Sequence, residues 1–164
     1  MNKTIVKIGL TTIAGISVFG IWATRAYAAS TTGNAVQVVT AAISIANVSN
    51  LDFGSAPQGD VAKTVAPAAV ENATNGSFTV SGQPSTAYTI SLPADGVVIM
   101  QTAGGGANKD IAVNSFLSFP AAGANGMLSA GGTELLLVGA TRAALGAAQV
   151  TGNYTQTYTV TVIY

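Results

Sequence analysis

The sequence predicts an all-β fold, and three observations carry that reading. Residues 154–164 (YTQTYTVTVIY) alternate without a break, with Tyr158, Val160, Val162 and Tyr164 on one face and Thr155, Thr157, Thr159 and Thr161 on the other. That is the period of two of a half-buried strand. Short runs rich in Val, Ile, Thr and aromatic residues recur along the chain, divided by Gly, Pro, Asn and Asp, a spacing that indicates a β-sandwich or barrel. No stretch after residue 28 keeps a helical period; residues 140–150 come nearest, and Gly146 within them argues against a helix.

The first element is a leader. Lys3 and Lys7 give a basic start, Ile8 to Trp22 is apolar, and Ala26-Tyr27-Ala28 fits a small-x-small cleavage site, so residues 1–28 read as a secretory signal peptide cut after Ala28. The alternative is an uncleaved anchor, since Ile8 to Thr24 is nearly long enough to span a bilayer. Gly9, Gly15, Gly20 and Arg25 weaken that alternative, and no second long apolar segment follows. Cleavage predicts a protein exported through a periplasm, with no membrane span, located outside the cell or on its surface.

The strands then follow in order: 35–46, 51–54, 62–65, 77–81, 87–92, 97–101, 111–119, 134–140 and 154–164. Asp95-Gly96 and Asn125-Gly126 are the best tight-turn pairs between them. The first run changes phase: Val36 and Val38 are apolar on even positions, Ile43 and Ile45 on odd ones. A slip of one residue turns an apolar set outward, so this run contains a bulge or divides into two halves, one reaching away from the domain and one within it. The last strand also needs a second neighbour, from earlier in its own chain or from another molecule.

Two glycine-rich segments read as loops, Thr102 to Lys109 (TAGGGANK) and Ala121 to Gly126 (AAGANG). Consecutive glycines cradle phosphate where a helix follows. Here a strand follows, and the lysine-serine ending of a P-loop is missing. Phe116, Leu117 and Phe119 form an apolar cluster expected in the core. Pro57, Pro67, Pro84, Pro93 and Pro120 fall near strand ends, where they discourage stray edge pairing.

Composition excludes much. Without the leader the chain keeps Lys63, Lys109 and Arg142 against Asp52, Asp60, Glu71, Asp95, Asp110 and Glu134, a net charge of −3, which disfavours nucleic acid as a partner. There is no cysteine, so this exported domain has no disulfide to supplement its core, and no histidine, the commonest general base and transition-metal ligand. A carboxylate pair is the remaining route to hydrolysis, but all the acids except Glu134 fall in or beside predicted turns. No D-x-D-x-D calcium loop is present, and no cofactor or enzymatic activity is expected. A surface tyrosine stacking on a sugar ring is a further alternative, although Tyr88 and Tyr154 read as core or edge residues. Asn72-Ala73-Thr74 matches a glycosylation sequon and reads as loop chemistry in a bacterial export context.

Several short motifs in fixed order carry a resemblance. They are Leu51-Asp52-Phe53-Gly54-Ser55, Phe78-Thr79-Val80-Ser81-Gly82-Gln83-Pro84 leading to Tyr88-Thr89-Ile90-Ser91-Leu92-Pro93, then Leu128-Ser129-Ala130-Gly131-Gly132, Val138-Gly139-Ala140-Thr141, and Gly152-Asn153-Tyr154 through Tyr164. Over most of residues 35–164 the chain resembles the secreted bacterial domain of unknown function 4402, which is similar to archaic chaperone-usher pilins and spore-coat-U-type subunits. The resemblance implies an immunoglobulin-like, pilin-like β-sandwich completed by donor-strand exchange. A periplasmic chaperone would first fill the incomplete sheet, an outer-membrane usher would assist assembly, and the N-terminal strand of a neighbouring copy would replace the chaperone.

Carried onto this chain, the resemblance implies residues 29–40 as donor, with Val36 and Val38 inserting, and 41–164 as the sandwich domain. Tyr158, Val160, Val162 and Tyr164 would form the acceptor edge. The implied function is a structural subunit of a pilus or fimbria-like fibre. The alternative is a self-complemented surface or matrix protein that binds a carbohydrate or another surface component. Many pilins of this type carry a disulfide near the start of the first strand; Ser44, Ala46 and Ser49 occupy that neighbourhood here.

Overall fold

Nine strands and no helix occur among residues 28–68, 70 and 74–164, which the computed structural model describes. Residues 1–27, with Lys3, Lys7 and Ala26, lie outside the described residues, as do Glu71, Asn72 and Ala73; Ala28 is exposed and in no strand. The strands are β1 (Ser44–Ser49), β2 (Lys63–Val65), β3 (Gly76–Ser81), β4 (Ala87–Ser91), β5 (Val98–Gln101), β6 (Asp110–Phe119), β7 (Gly123–Met127), β8 (Thr133–Arg142) and β9 (Thr161–Ile163). They build two antiparallel sheets, one in the order β1-β3-β8-β6-β5 with β2 also paired to β8, the other in the order β7-β4-β9. The molecule is an all-β sandwich. Residues 38–164 form one compact unit, and residues 28–37 belong to another.

The core lies between the sheets and follows the alternation of their strands. Phe78 and Val80 of β3, Leu136, Val138 and Ala140 of β8, and Tyr88 and Ile90 of β4 are all buried in it. Leu137 and Gly139 of β8 are buried as well, and residues 65–67 cross over this strand at Gly139. A Cβ on Gly139 would collide with the Val65 carbonyl and the backbone beyond it, so only glycine leaves room for the crossing.

A carboxylate joins the sheets. Glu134 Oε2 on β8 accepts a hydrogen bond from the Tyr88 hydroxyl on β4 (2.7 Å) and another from the backbone N–H of Met127 on β7 (2.9 Å). Burial, then the hydrogen bond and charge of Glu134, hold the Tyr88 phenol well above its ordinary range.

This arrangement explains one miss of the sequence reading. Residues 123–127, expected as loop with a tight turn at Asn125-Gly126, form a strand instead. Gly126 is opposite Tyr88 in the β4–β7 register, and a Cβ there would strike the Tyr88 ring. The glycine serves close packing, not chain reversal.

The cluster expected at Phe116, Leu117 and Phe119 also divides. Phe116 is buried, but Leu117 is 57% exposed and Phe119 48%. Ser115 adopts φ +53°, and the β6–β8 register shifts between Asn114 and Leu117. Ile111 and Val113 therefore point inward ahead of this bulge, and Phe116 and Ser118 after it. The Asp95 carboxylate fixes the bulge by accepting the Ser115 N–H at 2.6 Å, while Asn114 Oδ1 accepts the Gly96 N–H at 2.8 Å. The Asp95-Gly96 turn thus stands where expected, with Gly96 at φ +79°.

Asp95→Ala should cost about 1.5–3 kcal/mol, the range for a hydrogen bond to a charged group, and a urea melt with an unchanged slope would register it. An unaltered midpoint would show that the bulge holds without its carboxylate.

Candidate functional site

Each sheet ends on the same side of the sandwich in a strand with one partner. Among the described residues β1 pairs only with β3, and β9 only with β4. The two run in opposite directions along this side: Ala41, ahead of β1, is hydrogen-bonded by Tyr164, after β9, whereas Leu51, beyond β1, lines a small recess with Tyr158, ahead of β9. An edge strand offers a row of backbone N–H and C=O groups to any further strand. Beneath these edges Ile43, Ile45, Leu51 and Tyr158 are only partly buried against the core.

The expected acceptor residues take different positions. Val160 and Val162 are in the core at 9% and 8% exposure. The Tyr158 ring packs edge-on to Phe78, with centroids 6.1 Å apart, and tilted against Phe116 at 5.4 Å. Its hydroxyl is buried with no hydrogen-bond partner among the described residues, and burial pushes the phenol up to about 12. Tyr164 is half exposed, and its hydroxyl accepts the Gln83 N–H and donates to the Ala41 carbonyl.

The last strand is shorter than its alternation suggests. Only Thr161–Ile163 pair with β4, and Thr155 makes a single bridge to Gln101 with reciprocal bonds of 3.2 Å. Residues 156–160 belong to no strand. Side-chain alternation continues through them because their inward residues pack on the core, which needs no ladder.

The first strand is shorter too. Residues 28–43 are in no strand, and Val36 is 93% exposed and Val38 86%. β1 starts at Ser44, so the change of phase falls ahead of the strand and not on a bulge within it. Residues 51–54, expected as a strand, form a turn instead. Asp52 Oδ1 accepts the Gly54 N–H at 2.7 Å, Gly54 has φ +67°, and Phe53 reaches the core.

At the Leu51 end the open side widens into a recess of about 640 Å³ between residues 51–58 and 149–155, with Met100, Ile111 and Arg142 below. The buried Arg142 guanidinium meets Asp60 Oδ2 at 2.6 Å and donates to the Ala143 carbonyl at 2.8 Å. The other described acids are likewise engaged: Asp110 accepts from Gln101 and the Gly106 N–H, and Asp52, Asp95 and Glu134 hold the backbone as above. Gly106 closes the 102–109 loop onto Asp110, a hairpin between β5 and β6. Of residues 140–150, the weak helix candidate, 140–142 end β8 and 143–150 run on as loop. Neither this recess nor the Arg142–Asp60 pair was anticipated, since nothing local in the sequence places 60 beside 142.

The fold and its open side define an all-β sandwich with two single-partnered edges facing one way. The chain belongs to the family described as domain of unknown function DUF4402, whose sequence model matches residues 43–164. No curated protein and no solved structure matches it.

Tyr158→Phe tests the packing beneath the open side. The folded state holds this phenol's proton to a higher pH than the unfolded chain, whose value is near 10. Its contribution is thus complete below pH 10 and is lost as pH rises towards 12. Because that hydroxyl is buried without a partner among the described residues, the variant should be at least as stable as the parent at pH 7 and should lose less stability across that alkaline window in urea melts. Parallel curves for the two proteins would contradict this account.

Proposed function

We propose that the protein is a structural subunit of an extracellular fibre whose sandwich is completed by an extended segment of a neighbouring copy. The observation that carries this reading is the pair of single-partnered strands, β1 and β9, on one side of the molecule above partly buried apolar residues. The strand order supports an immunoglobulin-like subtype. With β1, β3, β8 and β6 as strands A, B, E and D, and β4 and β9 as C and F, the missing position is that of G, beside F.

The donor in this proposal is residues 29–40, with Val36 and Val38 as its inserting side chains. Addition of a strand couples ladder hydrogen bonds, which give affinity, to alternate side chains that give specificity. Each fully buried valine contributes roughly 1.5–3 kcal/mol and each ladder bond about 1 kcal/mol. Such an insertion rivals the 5–15 kcal/mol net stability of a typical domain. A head-to-tail contact of this kind does not close on itself and generates a fibre.

In this reading the leader directs export, a chaperone of the periplasm covers the open side before assembly, and an outer-membrane usher hands subunits to the surface. The engagement of every described acid in turns, a bulge, the Arg142 pair or, for Glu134, the bond to Tyr88 between the sheets supports a structural role over a catalytic one.

The test is the mass of the mature protein on a denaturing gel, unheated and heated. The parent should give a ladder that collapses to one band on heating. Val36→Asp with Val38→Asp should be exported normally and give only the monomer. A ladder from the double variant would reject the donor assignment. An unheated parent running as one monomer band, with a cooperative melt in solution, would reject the fibre.

A further inference from the structure

Three hydrogen bonds form a closed ring at one end of the open side. The Ala41 N–H donates to Gln83 Oε1 at 3.3 Å, the Gln83 N–H donates to the Tyr164 hydroxyl, and that hydroxyl donates to the Ala41 carbonyl at 3.2 Å. The ring joins the start of β1 and the turn after β3, both of the larger sheet, to the end of β9 in the smaller one. The Tyr164 phenol lies over Gly82, where a Cβ would strike its hydroxyl and approach Leu128 Cδ1 at 3.1 Å. Both backbone polar groups of Ala41 are thereby occupied, in phase with the inward Ile43 and Ile45.

For the segment ahead of β1 to complete its own sandwich beside β1, the chain must reverse within the few residues before Ser44. Tight hairpins need residues that accept positive φ, chiefly Gly, Asn and Asp. Residues 35–46 contain none of these and no proline. No described residue ahead of Gly54 has positive φ. The reversal would also have to release Ala41 from both of its bonds.

We propose that the Ala41–Gln83–Tyr164 clasp, together with this turn-free stretch, bars the segment from its own domain and commits it to a second copy of the chain. The proposal rests on the strand-exchange reading and adds what selects between self and neighbour. Tyr164 is then a positioning residue: it contacts no incoming strand in this role, and acts by holding Ala41 in line with β1.

The experiment compares four mature proteins: the parent, Tyr164→Phe, Thr40→Asn with Ala41→Gly, and the triple variant. Tyr164→Phe removes one hydroxyl from a half-exposed ring, and residues 40 and 41 are exposed and in no strand, so the fold has little to lose. The Asn-Gly pair supplies a favoured hairpin turn. On unheated gels the triple variant should raise the monomer fraction about tenfold, the equivalent of one or two hydrogen bonds, and that monomer should melt at a higher temperature than the Val36→Asp, Val38→Asp monomer. Gly82→Ala in place of Tyr164→Phe should act the same way, by displacing the ring.

A triple variant whose ladder matches the parent's overturns the clasp and leaves strand exchange standing. So does a monomer no more stable than the double-aspartate protein. A parent that is itself a stable monomer overturns strand exchange, and the clasp with it.

Discussion

Backbone hydrogen bonding at the two sheet edges on one side is the constraint on which the rest of this structure depends. A sandwich of this size keeps four edges, and on its far side the problem is partly met: Thr155 exchanges two bonds with Gln101 at the end of β5. On the near side β1 and β9 have no such link, and the polar groups on their outer flanks are left to solvent or to another strand. The usual protections are sparse there. Residues 43–49 and 156–164 contain no charged side chain and no proline. Partly buried Ile43, Ile45 and Leu51 lie beneath. Those features give the proposed strand addition its physical basis, independently of any resemblance.

How far the sequence disclosed this depended on whether a side chain's role was local. β3, β4 and β8 stand within a residue or two of their expected positions because their apolar, β-branched runs are bounded by turn residues, and in β4 burial of Tyr88 and Ile90 also gives a clear period of two. β7 was hidden because Asn125-Gly126 has turn chemistry, while Gly126 in fact makes room for a ring thirty-eight positions away in the chain, Tyr88. β6 was half legible. Its apolar residues were evident, but which of them face inward is decided by the Asp95 carboxylate on the preceding turn. Residues 156–160 show the complementary error, since inward packing preserves alternation where no ladder exists.

At the candidate site the same division holds. The inward positions of Val160 and Val162 and the phase break between Val38 and Ile43 were written in local pattern. The clasp was not, because it unites residues 41, 83 and 164, and no local period relates them. The recess above Arg142 was equally hidden. Asp60 and Arg142 are eighty-two positions apart, and an arginine ending an apolar strand reads as a surface residue until its partner is known. Burying that pair is costly unless its hydrogen bonds are made, and the Ala143 carbonyl supplies one of them.

The absence of cysteine bears on how such a domain holds together. A disulfide stabilises by restricting the unfolded chain, and a small domain without one relies on its core. Here the core is well packed at β8 and around Tyr88, and least complete beside β1 and β9. Stability added by a strand at that side would enter where the deficit lies, and the domain's stability would become linked to its assembly. Under the proposed strand addition, such a domain would gain little from a stronger free state, because whatever closed the open side internally would also remove the site for a neighbour. The three bonds around Ala41 fit that balance: they tie the two sheets together at one end of the open side and leave the remainder of both edges accessible.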